Sequence, residues 1–161
     1  MKGSYILVIR LPRGGSIKTK GRSFELGGGY YVYVGSAMNS LEKRVERHFR
    51  KDKKLHWHID FLLAEAELLG AYLIPSEERL EERISLEVGK YGEPVPDFGA
   101  GDVSVSTNLY SFEEAPWRTL ERMLDRLGLR WKRVKNVAEI REVIREWERE
   151  NKTHCFPTPE V

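Results

Sequence analysis

The stretch Tyr31–Phe49, YVYVGSAMNSLEKRVERHF, decides the fold. Aromatic and β-branched residues fill Tyr30–Val34, a composition that is typical of a β-strand. Gly35-Ser36 then predicts a turn, and a helix should run from Ser40 to about Lys51. The stretch therefore predicts a strand, a turn and a helix in immediate succession.

The helix has the signals of a capped, amphipathic element. Asn39 is a candidate N-cap, and Glu42 follows three residues later as in a capping box. Arg44 and His48 are four residues apart and so share one face. The buried stripe should consist of Leu41, Val45 and Phe49.

Strand-like segments surround this unit. SYILVIRL, at residues 4–11, is apolar and β-branched, and it ends at Pro12 and Gly14-Gly15. Two short strands, near 16–20 and 22–26, predict an inserted hairpin. Residues 56–69 should be helical at first and then extended near 68–74. An acidic helix over 77–91 would bury Leu80, Ile84 and Val88, and VSVSTNLYSF at 103–112 alternates like a strand.

The C-terminal part has a different pattern. Pro116 suits the first turn of a helix that ends at Gly128. A short strand over 129–134 and a final helix capped by Asn136 follow. We therefore expect an α+β fold, with a small central mixed or antiparallel sheet flanked by helices. The α+β domain would span residues 1–112, and residues 113–161 would form a helix-strand-helix appendage that packs on this domain.

Composition limits the function classes. With 161 residues and one cysteine, the chain suits a single domain without an internal disulfide, and a reducing, cytoplasmic setting is expected. No apolar run approaches the length of a membrane span, so we expect no membrane association. Arg10 interrupts the short apolar run that a secretion signal would need. No phosphate- or dinucleotide-binding glycine motif is present, so no small-molecule cofactor is expected.

Charge is distributed unevenly along the chain. Residues 1–54 carry 13 Lys and Arg against four acidic residues, whereas the remainder carries 14 against 21. A basic half is typical of proteins that bind a polyanion. Attraction between the two halves of one fold is the alternative explanation.

The residue types also fit phosphodiester hydrolysis. A carboxylate can hold one Mg²⁺ together with water and phosphate. Arginine offers a planar, permanently charged fork for phosphate oxygens. A tyrosine hydroxyl can orient the attacking water, and it acts as a base only if nearby cations lower its pKa from about 10. The Gly35-Ser36 turn before a helix would let a phosphate approach the backbone.

The ordered motifs Gly-x-Tyr, Tyr-Val-Gly, Arg, His and Glu resemble the GIY-YIG nuclease superfamily. More narrowly, GYYVYVGSA, RVERHF, HWHIDFLL and EPVPDFG resemble an uncharacterised GIY-YIG-like family, over about residues 1–112. Members of that family occur alone or fused to endonuclease III-type glycosylases. The resemblance implies a Mg²⁺- or Mn²⁺-dependent endonuclease that acts on DNA, or on RNA, with a repair glycosylase as a possible partner.

The resemblance also implies roles for single residues. Tyr5 and Tyr33 would match the tyrosines of the two motifs, and Arg44 would contact the scissile phosphate. His48 would match a helix histidine found in many members. Glu82 is the expected metal ligand, although Glu78 and Glu81 lie in the same acidic run and the choice among them stays open. Asn108 would match an asparagine that supports the site.

Other polar residues are expected to contact nucleic acid. The spacing between Tyr5 and Tyr33, 28 positions, is longer than in typical nucleases and accommodates the inserted basic hairpin. His56 and His58 flank Trp57 and, with Asp60, could form a metal cluster, but a structural or phosphate-contacting role is preferred because a zinc site needs further ligands. The expected nucleic-acid contacts are Lys18, Lys20, Arg22, Lys43, Arg47, His56, His58 and Asn108.

Two departures from the family pattern leave an alternative function open. Ser4 replaces the middle isoleucine of the first motif, and FGAGDVSVSTNL lacks the cysteines that usually follow EPVP-x-FG. A catalytically silent module that binds nucleic acid, or a protein-interaction module of the same fold, is therefore the alternative to an endonuclease.

Overall fold

The computed structural model describes residues 1–99 and 107–155, in which a six-stranded sheet carries helices on both faces. Every strand pairing in the sheet is antiparallel, and the order is β6-β7-β4-β1-β5-β8. Its strands are β1 (Gly3–Leu11), β4 (Gly29–Ala37), β5 (Glu67–Pro75), β6 (Glu93–Pro94), β7 (Leu109–Phe112) and β8 (Lys132–Val134). A separate hairpin consists of β2 (Gly15–Thr19) and β3 (Arg22–Leu26). The helices are α1 (Leu41–Phe49), α2 (His58–Glu65), α3 (Glu81–Val88), α4 (Trp117–Arg126) and α5 (Val137–Cys155). The predicted α+β class and the predicted hairpin are confirmed.

Strand β1 lies at the centre of the sheet, between β4 and β5, and is buried except at Arg10. Its side chains alternate between two hydrophobic clusters. Tyr5 and Leu7 point to one face, and Ile6 and Val8 point to the other. A strand covered on both faces needs a nearly continuous apolar sequence, which is what SYILVIRL provides.

Different helices cover the two faces. The face with Tyr5 is covered by α1, α2, α5 and the β2–β3 hairpin. The opposite face is covered by α3 and α4, which contribute Leu80, Ile84, Val88, Leu120, Met123 and Leu124. The C-terminal segment belongs to this arrangement, because β8 pairs with β5 and Arg141 of α5 bonds to Glu46 of α1 at 3.0 Å.

Two predicted helix starts were wrong. Ser40, not Asn39, caps α1, because Ser40 is extended and its Oγ accepts the backbone N–H of Lys43 at 3.2 Å. The acidic helix was expected from Glu77, but α3 begins at Glu81. The hydroxyl of Ser76 accepts the backbone N–H of Glu78 at 3.0 Å, and this local turn competes with helix formation.

The other predicted helices and strands are present with different bounds: the strand expected over 129–134 is only Lys132–Val134, and the sequence did not indicate the short strand β6. Asn136 caps α5 by accepting the backbone N–H of Glu139 at 2.8 Å. The strand expected over 103–112 is present as β7, and positions 103–106 lie outside the described residues. None of the described helices is long and apolar enough to cross a membrane.

Candidate active site

The site lies where β4 extends beyond its neighbour. Within the described residues, β7 pairs with β4 only from Tyr30 to Tyr33, and the backbone N–H of Val34 then bonds to Asn108. Among the described residues, no strand pairs with β4 at Gly35-Ser36 on the side away from β1. A pocket of about 510 Å³ opens there, and its lining includes Tyr5, Lys20, Tyr33, Gly35, Ser36, Arg44, His48, His56, Trp57, His58, Arg79 and Glu81.

Tyr5 and His48 form a hydrogen-bonded pair at the base of the pocket. The hydroxyl of Tyr5 lies 2.8 Å from Nε2 of His48, and both side chains are buried. Tyr5 lies opposite Gly35 in the β1–β4 register. A Cβ on Gly35 would lie 2.4 Å from both Cζ and the hydroxyl of Tyr5. Glycine is therefore required at position 35 for the phenol to occupy this place.

Burial keeps the pair neutral. Burial raises the pKa of Tyr5 above its usual value, against the lowering effect of Arg44. Burial, together with the positive charge of Lys53, lowers the pKa of His48 to about 3. Burial also raises the pKa of Tyr33, and the neighbouring Tyr5 adds to this shift. Both phenols are thus protonated near pH 7, and the imidazole of His48 is uncharged, so that its Nε2 can accept the hydrogen bond of the Tyr5 hydroxyl.

Arg44 supplies positive charge at the turn between β4 and α1. It projects from the first turn of α1, and its guanidinium donates to the backbone carbonyl of Ser36 at 3.3 Å. The same guanidinium lies 4.7 Å from the ring centroid of Trp57. Because an aromatic ring does not neutralise a cation, Arg44 keeps a full positive charge at the pocket.

The carboxylate in the pocket belongs to Glu81, not to Glu82. Glu81 is 6% exposed, lines the pocket, and accepts a hydrogen bond from the Ser36 hydroxyl at 3.4 Å. Glu82 is exposed and does not line the pocket. Among the three glutamates that the sequence leaves open, Glu81 is therefore the one that lines the pocket, and its role as a metal ligand stays a prediction.

Helical spacing could have identified Glu81. The buried positions of α3 are Glu81, Ile84, Ser85 and Val88, which follow the intervals of three and four residues of one helix face. Leu86, four residues after Glu82, is 58% exposed, so Glu82 lies on the outer face of the helix.

Asp60 organises the second wall of the pocket. It is fully buried and forms two hydrogen bonds to the guanidinium of Arg47, at 2.8 and 2.9 Å. It also accepts the backbone N–H groups of His56 and Trp57 at 2.8 and 3.0 Å. Burial alone would raise the pKa of Asp60, but these bonds outweigh burial and lower that pKa to about 2.

Of the predicted nucleic-acid contacts, three line the pocket: Lys20, His56 and His58. Arg47 is held by Asp60 instead. Lys18 and Lys43 are exposed outside the pocket, and Arg22 pairs with Asp97 at 3.2 Å.

Asn108 does not fit a direct contact to nucleic acid, because its side chain is buried and does not line the pocket. Its backbone supports the site, since its N–H bonds to Phe98 at 2.8 Å and its carbonyl to Val34 at 2.9 Å. Its Oδ1 is buried without a hydrogen-bond partner among the described residues.

The donor set limits how a metal ion would be held. Residues 1–99 and 107–155 contain no group of three or more His, Cys, Asp or Glu that could hold a metal ion. A divalent cation bound through Glu81 would complete its shell with water and phosphate oxygens. Mg²⁺ is commonly bound in this way, through one or two carboxylates and substrate phosphates, so Glu81 fits a magnesium ligand.

The fold and the pocket define an α+β protein with a polar, partly buried site at a sheet edge. The chain belongs to the family described as domain of unknown function DUF123, whose model matches residues 4–129. That range includes every residue named here as lining the pocket. No curated protein matches the chain, and no solved structure does.

Proposed function

We propose that the protein is a metal-dependent endonuclease of the GIY-YIG type that hydrolyses phosphodiester bonds in DNA. The observation that carries the proposal is the Tyr5–His48 hydrogen bond at 2.8 Å, with Arg44 and Glu81 lining the same pocket. These residues come from three segments of the chain, β1, α1 and α3, and follow the order of the motifs by which the sequence resembles GIY-YIG nucleases.

The neutral Tyr5–His48 pair suggests the route of the proton. In the tautomer with an unprotonated Nε2, the hydroxyl of Tyr5 donates to His48. A water that attacks phosphorus would pass one proton to the Tyr5 oxygen while the phenol proton moves to Nε2. The bond between phosphorus and the departing sugar oxygen would break in the same step, and that oxygen would take up a proton from solvent. Tyr5 thus acts as a relay and His48 as the final acceptor. Burial raises the pKa of Tyr5 and lowers that of His48 to about 3, so neither group is a strong base at rest. Transfer of the proton to Nε2 would therefore depend on the negative charge of the phosphate bound beside the pair.

The charged residues have complementary roles. Arg44 would stabilise the negative charge that develops on the phosphoryl oxygens. Glu81 would hold Mg²⁺ or Mn²⁺, and a bound cation supplies Lewis-acid stabilisation of the phosphate. Tyr33 would help to orient the attacking water, and Lys20 would attract the phosphate backbone electrostatically.

Cleavage of labelled DNA with Mg²⁺ or Mn²⁺ tests the proposal. The panel contains single strands, plain duplex, nicked duplex, branched DNA and duplex with a damaged base. Wild type is compared with Arg44→Ala and with Lys43→Ala, which removes the same charge from the neighbouring position outside the pocket. We expect both variants to bind DNA less tightly, and only Arg44→Ala to lose cleavage.

Two results would count against this function. If wild type leaves the entire panel intact but binds it with a steep salt dependence, the protein is a catalytically silent nucleic-acid-binding module. If cleavage is lost equally in Arg44→Ala and Lys43→Ala, the pocket is not the site of cleavage.

A further inference from the structure

Trp57 differs from the other tryptophans of this chain in its surroundings. Of the four, Trp147 is buried in the core, and Trp117 and Trp131 pack against a hydrophobic cluster. Trp57 is 37% exposed and belongs to neither hydrophobic cluster of the described residues. The exposed part of the Trp57 ring lies at the pocket and is available for binding, while Arg44 and Arg47 contact the ring.

The ring of Trp57 is held in place at the rim of the pocket. Its backbone N–H bonds to the buried carboxylate of Asp60 at 3.0 Å. Guanidinium groups of Arg44 and Arg47 lie 4.7 and 4.6 Å from the ring centroid. The exposed ring of His56 follows at 5.4 Å. Trp57 is therefore a fixed aromatic surface beside the cation that is expected to contact the phosphate.

This pairing of a cation with an exposed aromatic ring matches the chemistry of one nucleotide. Each nucleotide carries a charged phosphate and a flat base on the same sugar. Proteins bind single-stranded nucleic acid by combining basic grooves with aromatic side chains on which bases stack. In an intact duplex the faces of each base are covered by neighbouring base pairs, so only an unpaired or extruded base can stack on a protein ring.

We propose that Trp57 stacks on an unpaired base next to the phosphate at Arg44, so that the pocket selects single-stranded DNA or duplex DNA with an unpaired nucleotide. The inference rests on the proposed function, since it names the substrate class of the same pocket. In this proposal Trp57 determines which DNA is bound, and the residues at the base of the pocket carry out the hydrolysis.

Binding measured without metal tests the inference independently of cleavage. Fluorescence anisotropy in EDTA gives the Kd for a single strand, a perfect duplex, and the same duplex with one unpaired base. Trp57→Ala should weaken binding of the two unpaired DNAs roughly 5- to 150-fold, the range of base–aromatic stacking, and affect the perfect duplex little. Trp57→Phe should retain most of the affinity. Leu86→Ala, which removes another exposed apolar side chain outside the pocket, should bind like wild type.

A fluorescent base provides a direct measure of stacking. With 2-aminopurine as the unpaired base, wild type should quench its fluorescence on binding, and Trp57→Ala should not. A purely structural role for Trp57 would not produce this difference. If Trp57→Ala weakens binding to all three DNAs equally, or if wild type does not quench the probe, the inference is overturned.

The two proposals can fail separately. Wild type that quenches 2-aminopurine through Trp57 but never cuts DNA with Mg²⁺ or Mn²⁺ would support the stacking site and overturn the nuclease. Wild type that cuts perfect duplex as readily as unpaired DNA would support the nuclease and overturn the stacking site. Wild type that binds no DNA would overturn both.

Discussion

The hydroxyl of Tyr5 bonds to Nε2 of His48 at 2.8 Å, and this bond joins strand β1 to helix α1 across 43 residues of sequence. Nδ1 of His48 is buried without a partner among the described residues. A second proton on the imidazole would create a buried cation close to Lys53 and Arg44, so the neutral form is strongly favoured. The surroundings of His48 therefore keep its imidazole neutral, and the proton transfer proposed above would have to overcome this effect.

Stability should consequently depend on pH through His48. Its pKa is about 3 in the folded protein, against 6.5 for an ordinary histidine. The unfolded chain binds this proton more readily, so the contribution of His48 is complete above pH 6.5 and is lost as the pH falls towards 3. The free energy of unfolding should fall with a slope approaching about 1.4 kcal/mol per pH unit from this group.

Urea denaturation of wild type and His48→Gln at several pH values measures this contribution. The free energy of unfolding of the variant should decline less steeply between pH 6.5 and 4, because the contribution of His48 is gone. Some pH dependence should remain, since burial also lowers the pKa of His58. An NMR titration of the imidazole checks the cause directly. A His48 signal that titrates near pH 6.5 would contradict the prediction.

Gly35→Ala should disturb both stability and the site. The new Cβ would lie 2.4 Å from Cζ of Tyr5, and the phenol is enclosed and has little room to move. Overpacking of this kind typically costs about 1–3 kcal/mol. Gly27→Ala is the matched control, because a Cβ at Gly27 meets nothing within 4 Å.

Urea denaturation compares the two glycine variants, and the chemical shift of the Tyr5 ring reports its displacement. We expect Gly27→Ala to stay within about 0.5 kcal/mol of wild type. Equal stability of the two variants would mean that the phenol is not fixed against the backbone of β4.

The adjacent glutamates of α3 should differ sharply in function. If the proposed function holds, Glu81→Gln removes the metal ligand and lowers the cleavage rate by about 100-fold or more, since Lewis-acid stabilisation is worth several kcal/mol. Glu82→Gln removes the same charge from an exposed position and should cut DNA at nearly the wild-type rate. Cleavage rates measured over a range of Mn²⁺ concentrations compare the two variants. Loss of cleavage in Glu82→Gln alone would restore the expectation drawn from the sequence.

The fold could be predicted largely from local patterns. The central strand β1 is apolar at nearly every position, and Ile84 and Val88 have the spacing of a buried helix face. These hydrophobic patterns involve residues that are close in sequence, and the structure contains the strand and the helix that they predict. The resemblance to GIY-YIG nucleases pointed to Tyr5, Tyr33, Arg44 and His48 as one group, and all four line the pocket.

What the sequence missed depends on contacts between distant segments. Glu81 differs from Glu82 only in which face of α3 it occupies, and the late start of that helix is set by a local turn at Ser76. The sequence predicts a nucleic-acid contact for Arg47, whereas the structure pairs its guanidinium with Asp60, 13 residues later. No local pattern identifies such partners.

The Arg47–Asp60 pair leads to the last prediction. Asp60→Asn should destabilise the protein by about 3–5 kcal/mol, because the change leaves the guanidinium of Arg47 without its buried counter-charge. Asp52→Asn, at an exposed position of the loop after α1, is the control and should change the free energy of unfolding by less than about 0.5 kcal/mol.

The pKa of Asp60 is about 2 in the folded protein, below its ordinary 3.8, so the contribution of Asp60 to stability is complete above pH 3.8 and is lost as the pH falls towards 2. Urea denaturation over this range should therefore show a steeper loss of stability in wild type than in Asp60→Asn. Since Asp60 also holds the backbone of His56 and Trp57, equal stability of Asp60→Asn and Asp52→Asn would show that this wall of the pocket does not depend on the ion pair.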